Sequence, residues 1–323
     1  MNAPNAELPL KPVAFASIGE CMIELSAGKN DLWRMGFAGD TFNTAWYARA
    51  TLPKSRRVAY VTALGDDPFS GRMLKFFAKA GVEADRIREV PGRRPGLYAI
   101  TLTKAERAFT YWRGQSAARC LADDEGWLTR ALSGADMLYF SGITLAILEP
   151  KARRRLLDAL AARRKAGARI AFDPNFRPAL WPDRKEARAA MDAAYRVADI
   201  ALPTFSDEAA LFGDKTLNAT LKRLTDTGIG EFVIKNGEAP AVVFGDGVHG
   251  RVPPTKPKRI VDTTGAGDSF SGAYLAGRLV GLDPIVAAHL GHLVAAEVIG
   301  VHGALAKIDR RKVMRALKLK RQA

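Results

Sequence analysis

The sequence is poor in the residues that build metal centres and disulfide frameworks, with two cysteines and four histidines in 323 residues. Cys21 and Cys120 lie far apart and outside any C-x-x-C spacing, which excludes a disulfide scaffold and a zinc ribbon, so they read as buried thiols. His289 and His292 share a helical face in "AAHLGHLVAAE" but lack the H-E-x-x-H pattern, and read as a packed or surface pair. No nucleophile stands beside a neighbouring base, which argues against a covalent enzyme intermediate. No apolar run is long enough to span a bilayer, and the start shows no basic-apolar-small signature. The expectation is a cytoplasmic protein with no membrane partner.

Acidic residues are outnumbered, 34 against 49 Lys and Arg, for a formal net charge of +15 at pH 7. Nucleic acid, a membrane surface or small anionic substrates could each match that excess. The basic residues cluster on "KARRRLLDALAARRKAGARI" and on the tail "RRKVMRALKLKRQA", with apolar residues at helical spacing between them. Solvated helix faces account for this pattern, and no RNP-like aromatic strand or zinc knuckle accompanies them. Small anions are therefore the expected partners, and nucleic acid is not.

A chain that is 48% hydrophobic can bury a sizeable core, and α/β units of this size often fold as one domain, so residues 1–323 are taken together. "VAFASIGECMIEL", "RRVAYVTAL", "ADMLYFSGI", "ARIAFDPN", "VADIALPT" and "GEFVIKNG" read as strands, most separated by helical segments. That alternation predicts a three-layer α/β fold with a doubly wound, mostly parallel sheet. Two stretches break the rhythm, at about 22–38 and about 93–118; the second reads as a hairpin around the polar turn "TKAER". Strands with no helix after them cannot join the doubly wound layer, and a small β-sheet lid over the strand ends fits them.

The run "DTTGAGDSFSGAYLAG", residues 262–277, starts a helix whose Phe270, Ala273, Tyr274 and Gly277 share a face. Gly265, Ala266 and Gly267 then sit at its N-terminus, where open amides and the helix dipole favour an anion such as phosphate. A carboxylate beside a phosphate site is wasteful for binding, because like charges repel. It is well placed to accept a proton from an attacking hydroxyl, which makes Asp268 a candidate general base. The plainer alternative is a tight turn with Asp268 as a helix cap.

With its context, this run closely resembles the C-terminal signature of the ribokinase-like (pfkB) carbohydrate kinases. "FAGDTFNTAWYARA" resembles that family's glycine-rich sugar-binding segment, and "GDDPFSGRMLKFFAKAGV" its next strand-to-helix turn. Within the family, "GECMIEL", "GDTFNTA", "FTYWRGQSAAR" and "FDPNFRPALW" look most like the 2-keto-3-deoxygluconate kinases. The resemblance implies ATP-dependent phosphorylation of a terminal, C6 hydroxyl, with fructose, ribose or a nucleoside as the alternative acceptors.

Arginine offers a planar fork for the carboxylate that a neutral sugar lacks, and Arg113 and Arg177 are the candidates. Arg177 and Asn175 follow the apolar strand in "DPNFRP", at the end where open α/β sheets bind ligands. The resemblance adds Tyr98 and Tyr111 against the substrate, and Gly39, Asp40 and Asn43 on its hydroxyls. Strand packing is the alternative for the tyrosines.

For the nucleotide, Asn175 in the "DPNFRP" turn is a candidate phosphate or metal-water contact, with a local turn role as the alternative, and the resemblance adds Thr204, Lys235 and Gly237, together with Gly265 and Gly267. Lys235 has the alternative of a solvated lysine. Many relatives carry an Asn-x-x-Glu motif that organises Mg2+ through water. Here Thr204, Ser206, Asp207 and Glu208 stand at that place without the Asn in register, and Glu208 is taken as the indirect metal ligand. The resemblance further implies a homodimer joined through the lid sheets, which would protect exposed strand edges.

Overall fold

In the computed structural model, residues 10–28, 30, 32–103 and 106–322 are described. Thirteen strands run in chain order. They are β1 (Val13–Ile18), β2 (Met22–Ala27), β3 (Trp33–Ala38), β4 (Val58–Leu64), β5 (Ile87–Glu89), β6 (Leu97–Thr103) and β7 (Glu106–Trp112). There follow β8 (Ala135–Ser141), β9 (Arg169–Asp173), β10 (Ile200–Ala201), β11 (Glu231–Ile234), β12 (Ala241–Gly245) and β13 (Val248–Val252). Nine form one sheet in the order β13-β12-β11-β10-β9-β8-β1-β4-β5, and four form a second in the order β3-β2-β6-β7.

From β11 to β5 every pairing in the large sheet is parallel, and β12 and β13 add an antiparallel hairpin at one edge. The parallel strands are buried on both faces, which is why they read as nearly continuous apolar runs. On one face Ala16, Ile18, Phe140 and Phe172 pack against Leu145, Leu156, Met191 and Leu224, from the helices that follow β8 to β10. On the other, Phe15, Tyr60 and Met137 pack against Phe42 of helix Asp40–Thr51, Phe77 of helix Pro68–Lys79 and Phe270 and Tyr274 of helix Ala266–Leu279.

Local chemistry sets the helix starts. Asp67 caps helix Pro68–Lys79, its carboxylate accepting from the Phe69 and Ser70 amides while Pro68 supplies a preset φ. Asp283 and Pro284 repeat the device at helix Pro284–Ile299. Cys21 is buried as read from the sequence, whereas Cys120 is half-buried.

The two segments that break the helical rhythm form the small sheet. β2 and β3 pair antiparallel, β6 lies parallel beside β2, and β7 pairs antiparallel with β6. Of the expected turn "TKAER", residues 104–105 lie outside the described residues. Four chain crossings join the two sheets, and glycines stand at each: Gly19, Gly39, Gly96 and Gly114. Gly39 is required by space, because a Cβ there would lie 2.2 Å from the Glu20 carbonyl oxygen. Among the described residues, no helix is long and apolar enough to cross a membrane.

Candidate active site

The carboxyl ends of β1, β9, β10 and β11 open on a cavity of about 750 Å³ that the small sheet covers on one side. It lies at a topological switch point: β1 and β8 are neighbours, but their onward connections run over opposite faces of the sheet. Tyr98, Phe109 and Tyr111 line it from the small sheet, Asp173, Asn175, Thr204 and Lys235 from the strand ends, and residues 263–268 from the start of helix Ala266–Leu279.

That helix begins in a tightly defined way. Gly265 is its N-cap in the left-handed region, φ 77°, and a Cβ there would lie 2.7 Å from the Ala304 carbonyl oxygen. The Asp262 carboxylate accepts from the Thr264 amide at 3.0 Å, the Thr264 hydroxyl at 2.8 Å and the Gly303 amide at 2.6 Å. The first aspartate of "DTTGAGD" thus ties the loop to the segment behind it. The Ala266 amide donates to Thr263 O at 3.2 Å, so of the three amides expected to face a phosphate this one is spent inside the turn. Those of Gly267 and Asp268 belong to the first helical turn, where an amide has no partner within the helix.

Asp268 is half-buried, and its Oδ2 accepts from Asn43 Nδ2 at 2.8 Å. The contact spans 225 positions and depends on helix Asp40–Thr51 lying directly against helix Ala266–Leu279. Gly272 permits this approach: a Cβ on it would come 2.4 Å from the Thr44 carbonyl oxygen. Burial, then the nearby Asp40 carboxylate, push the Asp268 carboxyl up to about 7, against the pull of the Asn43 hydrogen bond and of Lys235. A carboxylate so placed takes up and releases a proton near neutrality.

Behind it, Asp173 at the end of β9 is buried and paired with Lys235 Nζ at 2.6 Å, and Ser271 Oγ donates to the same carboxylate oxygen at 3.1 Å. Asn175 sits at φ 36° and donates Nδ2 to Asp40 Oδ2 at 2.9 Å. Asn175 therefore orders the loop of Gly39 and Asp40. Lys235 is buried and neutralised by Asp173, which excludes the reading of a solvated lysine.

On the small-sheet side, Tyr98 is buried and donates its hydroxyl to Glu24 Oε2. Tyr111 stands half exposed, its phenol pushed up by burial and pulled down by the charges of Arg113 and Arg177. Both cations thus reach one wall. Arg113 pairs with the buried Glu20 and lies 5.9 Å from the Tyr111 ring centroid, and Arg177 is paired with Asp207 at 3.5 Å.

Two expected site residues lie elsewhere. Glu208 is fully buried beneath helix Phe205–Phe212, accepting from Tyr195 Oη at 2.9 Å and from Arg223 Nη2 at 2.5 Å, and burial pushes its carboxyl up to about 7. Successive helical residues point about 100° apart, so Asp207 lines the cavity and Glu208 faces the core. Gly237 adopts φ 58° in the turn after β11 and does not line the cavity. Conversely, Glu20 and Asp173 line it without having been expected, and Asp207 does so in place of Glu208. Their signal was position: Glu20 and Asp173 stand at or just beyond the carboxyl ends of β1 and β9.

A parallel sheet with a cavity at its switch point, a glycine turn opening a helix there and a carboxylate held beside it form an arrangement suited to phosphoryl transfer to an alcohol. The family model for pfkB family carbohydrate kinases matches residues 14–311, and the chain belongs to that family. A 2-dehydro-3-deoxygluconokinase of Dickeya dadantii (strain 3937) is 44% identical over 301 residues, 91% of this chain and 97% of the relative. One of Escherichia coli (strain K12) is 42% identical over 298 residues, 90% and 96% of the two chains. In fold, a crystal structure of 2-dehydro-3-deoxygluconokinase from Thermotoga maritima superposes with a TM-score of 0.80 at 22% identity, covering 95% of this chain and 99% of that one. A fructokinase with bound ATP from Xylella fastidiosa gives 0.82 at 20% identity, covering 96% and 99%.

Proposed function

We propose that this protein transfers the γ-phosphoryl group of ATP to the C6 hydroxyl of 2-keto-3-deoxygluconate. The observation that carries the reading is the placement of Asp268, half-buried, held by Asn43 and beside the opening amides of its helix, in the same cavity as Arg113 and Arg177. The names of the relatives at 40–44% identity support the substrate.

The substrate carboxylate is held by Arg113 and Arg177, each able to offer a charge-assisted fork, with Tyr98 and Tyr111 forming the wall. Its far hydroxyl meets Asp268, which accepts the proton as the oxygen attacks phosphorus. The amides of Gly267 and Asp268 and the helix dipole stabilise charge on the transferring group. Asn43 fixes the orientation of the base, Asn175 that of Asp40, and the Asp173–Lys235 pair supports the floor. The small sheet limits the entry of water.

Among the described residues no group of three or more His, Cys, Asp or Glu is placed to hold a metal ion. Asp207, Thr204 and Asn175 offer the hard oxygen donors that suit Mg2+ through water, and Mg2+ would offset phosphate charge. The use of ATP fits a cytoplasmic protein. The outer strands β3 and β7 carry exposed Trp33 and Trp112, and a homodimer through these edges would cover them, which light scattering tests.

A coupled ATPase assay across 2-keto-3-deoxygluconate, fructose and ribose tests the reading. ATP turnover that requires the keto acid is expected. Equal or better turnover with a neutral sugar would overturn it.

A further inference from the structure

We propose that Glu20 is a positioning residue that selects for the substrate's carboxylate by holding the Arg113 guanidinium in one orientation. The inference rests on the reading of Arg113 given above.

Glu20 follows β1 at the first crossing into the small sheet, and Arg113 follows β7 where the chain leaves it. Glu20 is 2% exposed, yet it lines the cavity. Its Oε2 forms an ion pair with Arg113 Nη2, and among the described residues neither Glu20 oxygen nor Arg113 Nε has a hydrogen-bond partner. A buried carboxylate without a counter-charge is strongly disfavoured, so the pair fixes Glu20 and Arg113 together.

The surroundings leave Glu20 little freedom. A Cβ at Gly96 would lie 2.7 Å from Glu20 Oε1 and 3.1 Å from Arg113 Cβ, and a Cβ at Gly39 would strike the Glu20 carbonyl. The crossings at Gly96 and Arg113 thus close on this side chain, and the one at Gly39 packs on its backbone. With Glu20 confined, the Arg113 guanidinium is restrained by the ion pair before substrate arrives. Preorganisation of this kind lowers the ordering cost of binding.

An acid beside an anion-binding arginine has two opposing effects. Its charge weakens the attraction for a second carboxylate, while its grip orients the fork. If orientation dominates, neutralising Glu20 weakens binding of the keto acid; if charge dominates, it strengthens it. The sign separates the two.

The test is a double-mutant cycle on the full chain, with KM for 2-keto-3-deoxygluconate, KM for ATP and kcat measured for Glu20→Gln, Arg113→Ala and the double variant. For Glu20→Gln we expect KM for the keto acid to rise about tenfold, KM for ATP to stay within twofold, and the double variant to be no worse than Arg113→Ala. Glu20→Asp, which keeps the charge but draws it back by one methylene, is expected to raise the same KM and serves if the Gln variant does not fold. An unchanged or lower keto-acid KM in Glu20→Gln, or additive losses in the double variant, overturns the proposal. If Arg113→Ala itself leaves that KM unchanged, the fault lies in the reading of Arg113 instead.

Discussion

Replacing Asp268 by Asn removes the proposed base and changes little else. The amide has nearly the volume of the carboxylate, and its oxygen can still accept from Asn43 Nδ2, which stands 2.8 Å from Oδ2. A positioned general base contributes roughly 10²–10⁴-fold, so turnover should fall by two to four decades, about 3–5.5 kcal/mol of barrier. KM for ATP should change little, since the role proposed for the Asp268 carboxylate is toward the acceptor hydroxyl and not the nucleotide. The wild-type pH profile should carry the same signature. With its carboxyl pushed up to about 7, Asp268 is protonated below that pH, so kcat/KM for the keto acid should fall about tenfold per unit there. Stability runs the other way. Folding favours the protonated form, so the penalty is absent below the ordinary carboxylate range and complete above about pH 7. The Asn variant should therefore melt higher than wild type at pH 8, by at most roughly 4 kcal/mol at about 1.4 kcal/mol per pKa unit, with the gap vanishing below about pH 4. Stopped-flow or coupled assays and thermal melts measure both. Turnover within threefold of wild type would refute the assignment.

Other substitutions separate the remaining roles. Arg113→Ala should raise KM for the keto acid far more than KM for ATP; equal changes would mean that this arginine does not hold the carboxylate. Asp207→Asn should raise the Mg2+ concentration needed for half-maximal rate. Glu208→Gln, at a carboxylate turned to the core and paired with Arg223, should instead leave the Mg2+ titration unchanged; the reverse pattern would return the metal role to Glu208. Gly272→Ala should destabilise by about 1–3 kcal/mol, because its Cβ meets Thr44 O, and should lower turnover by separating Asn43 from Asp268. A melt equal to wild type would show that the helices accommodate it.

The parallel sheet was legible because strands buried on both faces must be apolar almost throughout, as "VAYVTAL" is. The small sheet was legible for the opposite reason: its strands alternate and no helix follows them. The edge hairpin of β12 and β13 was not read as strands, since its two five-residue strands are divided by a turn at Asp246 and Gly247, both at positive φ. Asp268 was legible from its glycines. Its partner Asn43 was legible only through resemblance, because a contact across 225 positions depends on two helices touching at Gly272, and no local pattern encodes that meeting. Glu208 failed on a simpler ground. Two adjacent acids at a helix start look alike in sequence, and only the direction of the core tells which one faces the cavity.

The distribution of charge ties these particulars together. The chain carries +15 overall, yet its cavity is lined by five acids (Glu20, Asp40, Asp173, Asp207 and Asp268) against three cations (Arg113, Arg177 and Lys235). A positive surface draws ATP and an acid sugar toward the protein, but a locally acidic cavity would repel them unless its acids were engaged. Three are engaged by cations, Glu20 with Arg113, Asp173 with Lys235 and Asp207 with Arg177, and Asp40 accepts from Asn175. Asp268 is held by the neutral amide of Asn43, and its carboxyl is the one in this cavity pushed up to about 7. An acid without a paired cation thus stands at the glycine turn that opens helix Ala266–Leu279, where holding a proton near neutrality suits the proposed base. Screening follows from the same arrangement. Added salt should raise KM for both anionic substrates by weakening the long-range field while leaving kcat nearly constant, because the paired groups inside the cavity lie well within a Debye length of about 8 Å. A kcat that fell as steeply as kcat/KM would place the salt-sensitive charges in the chemical step itself.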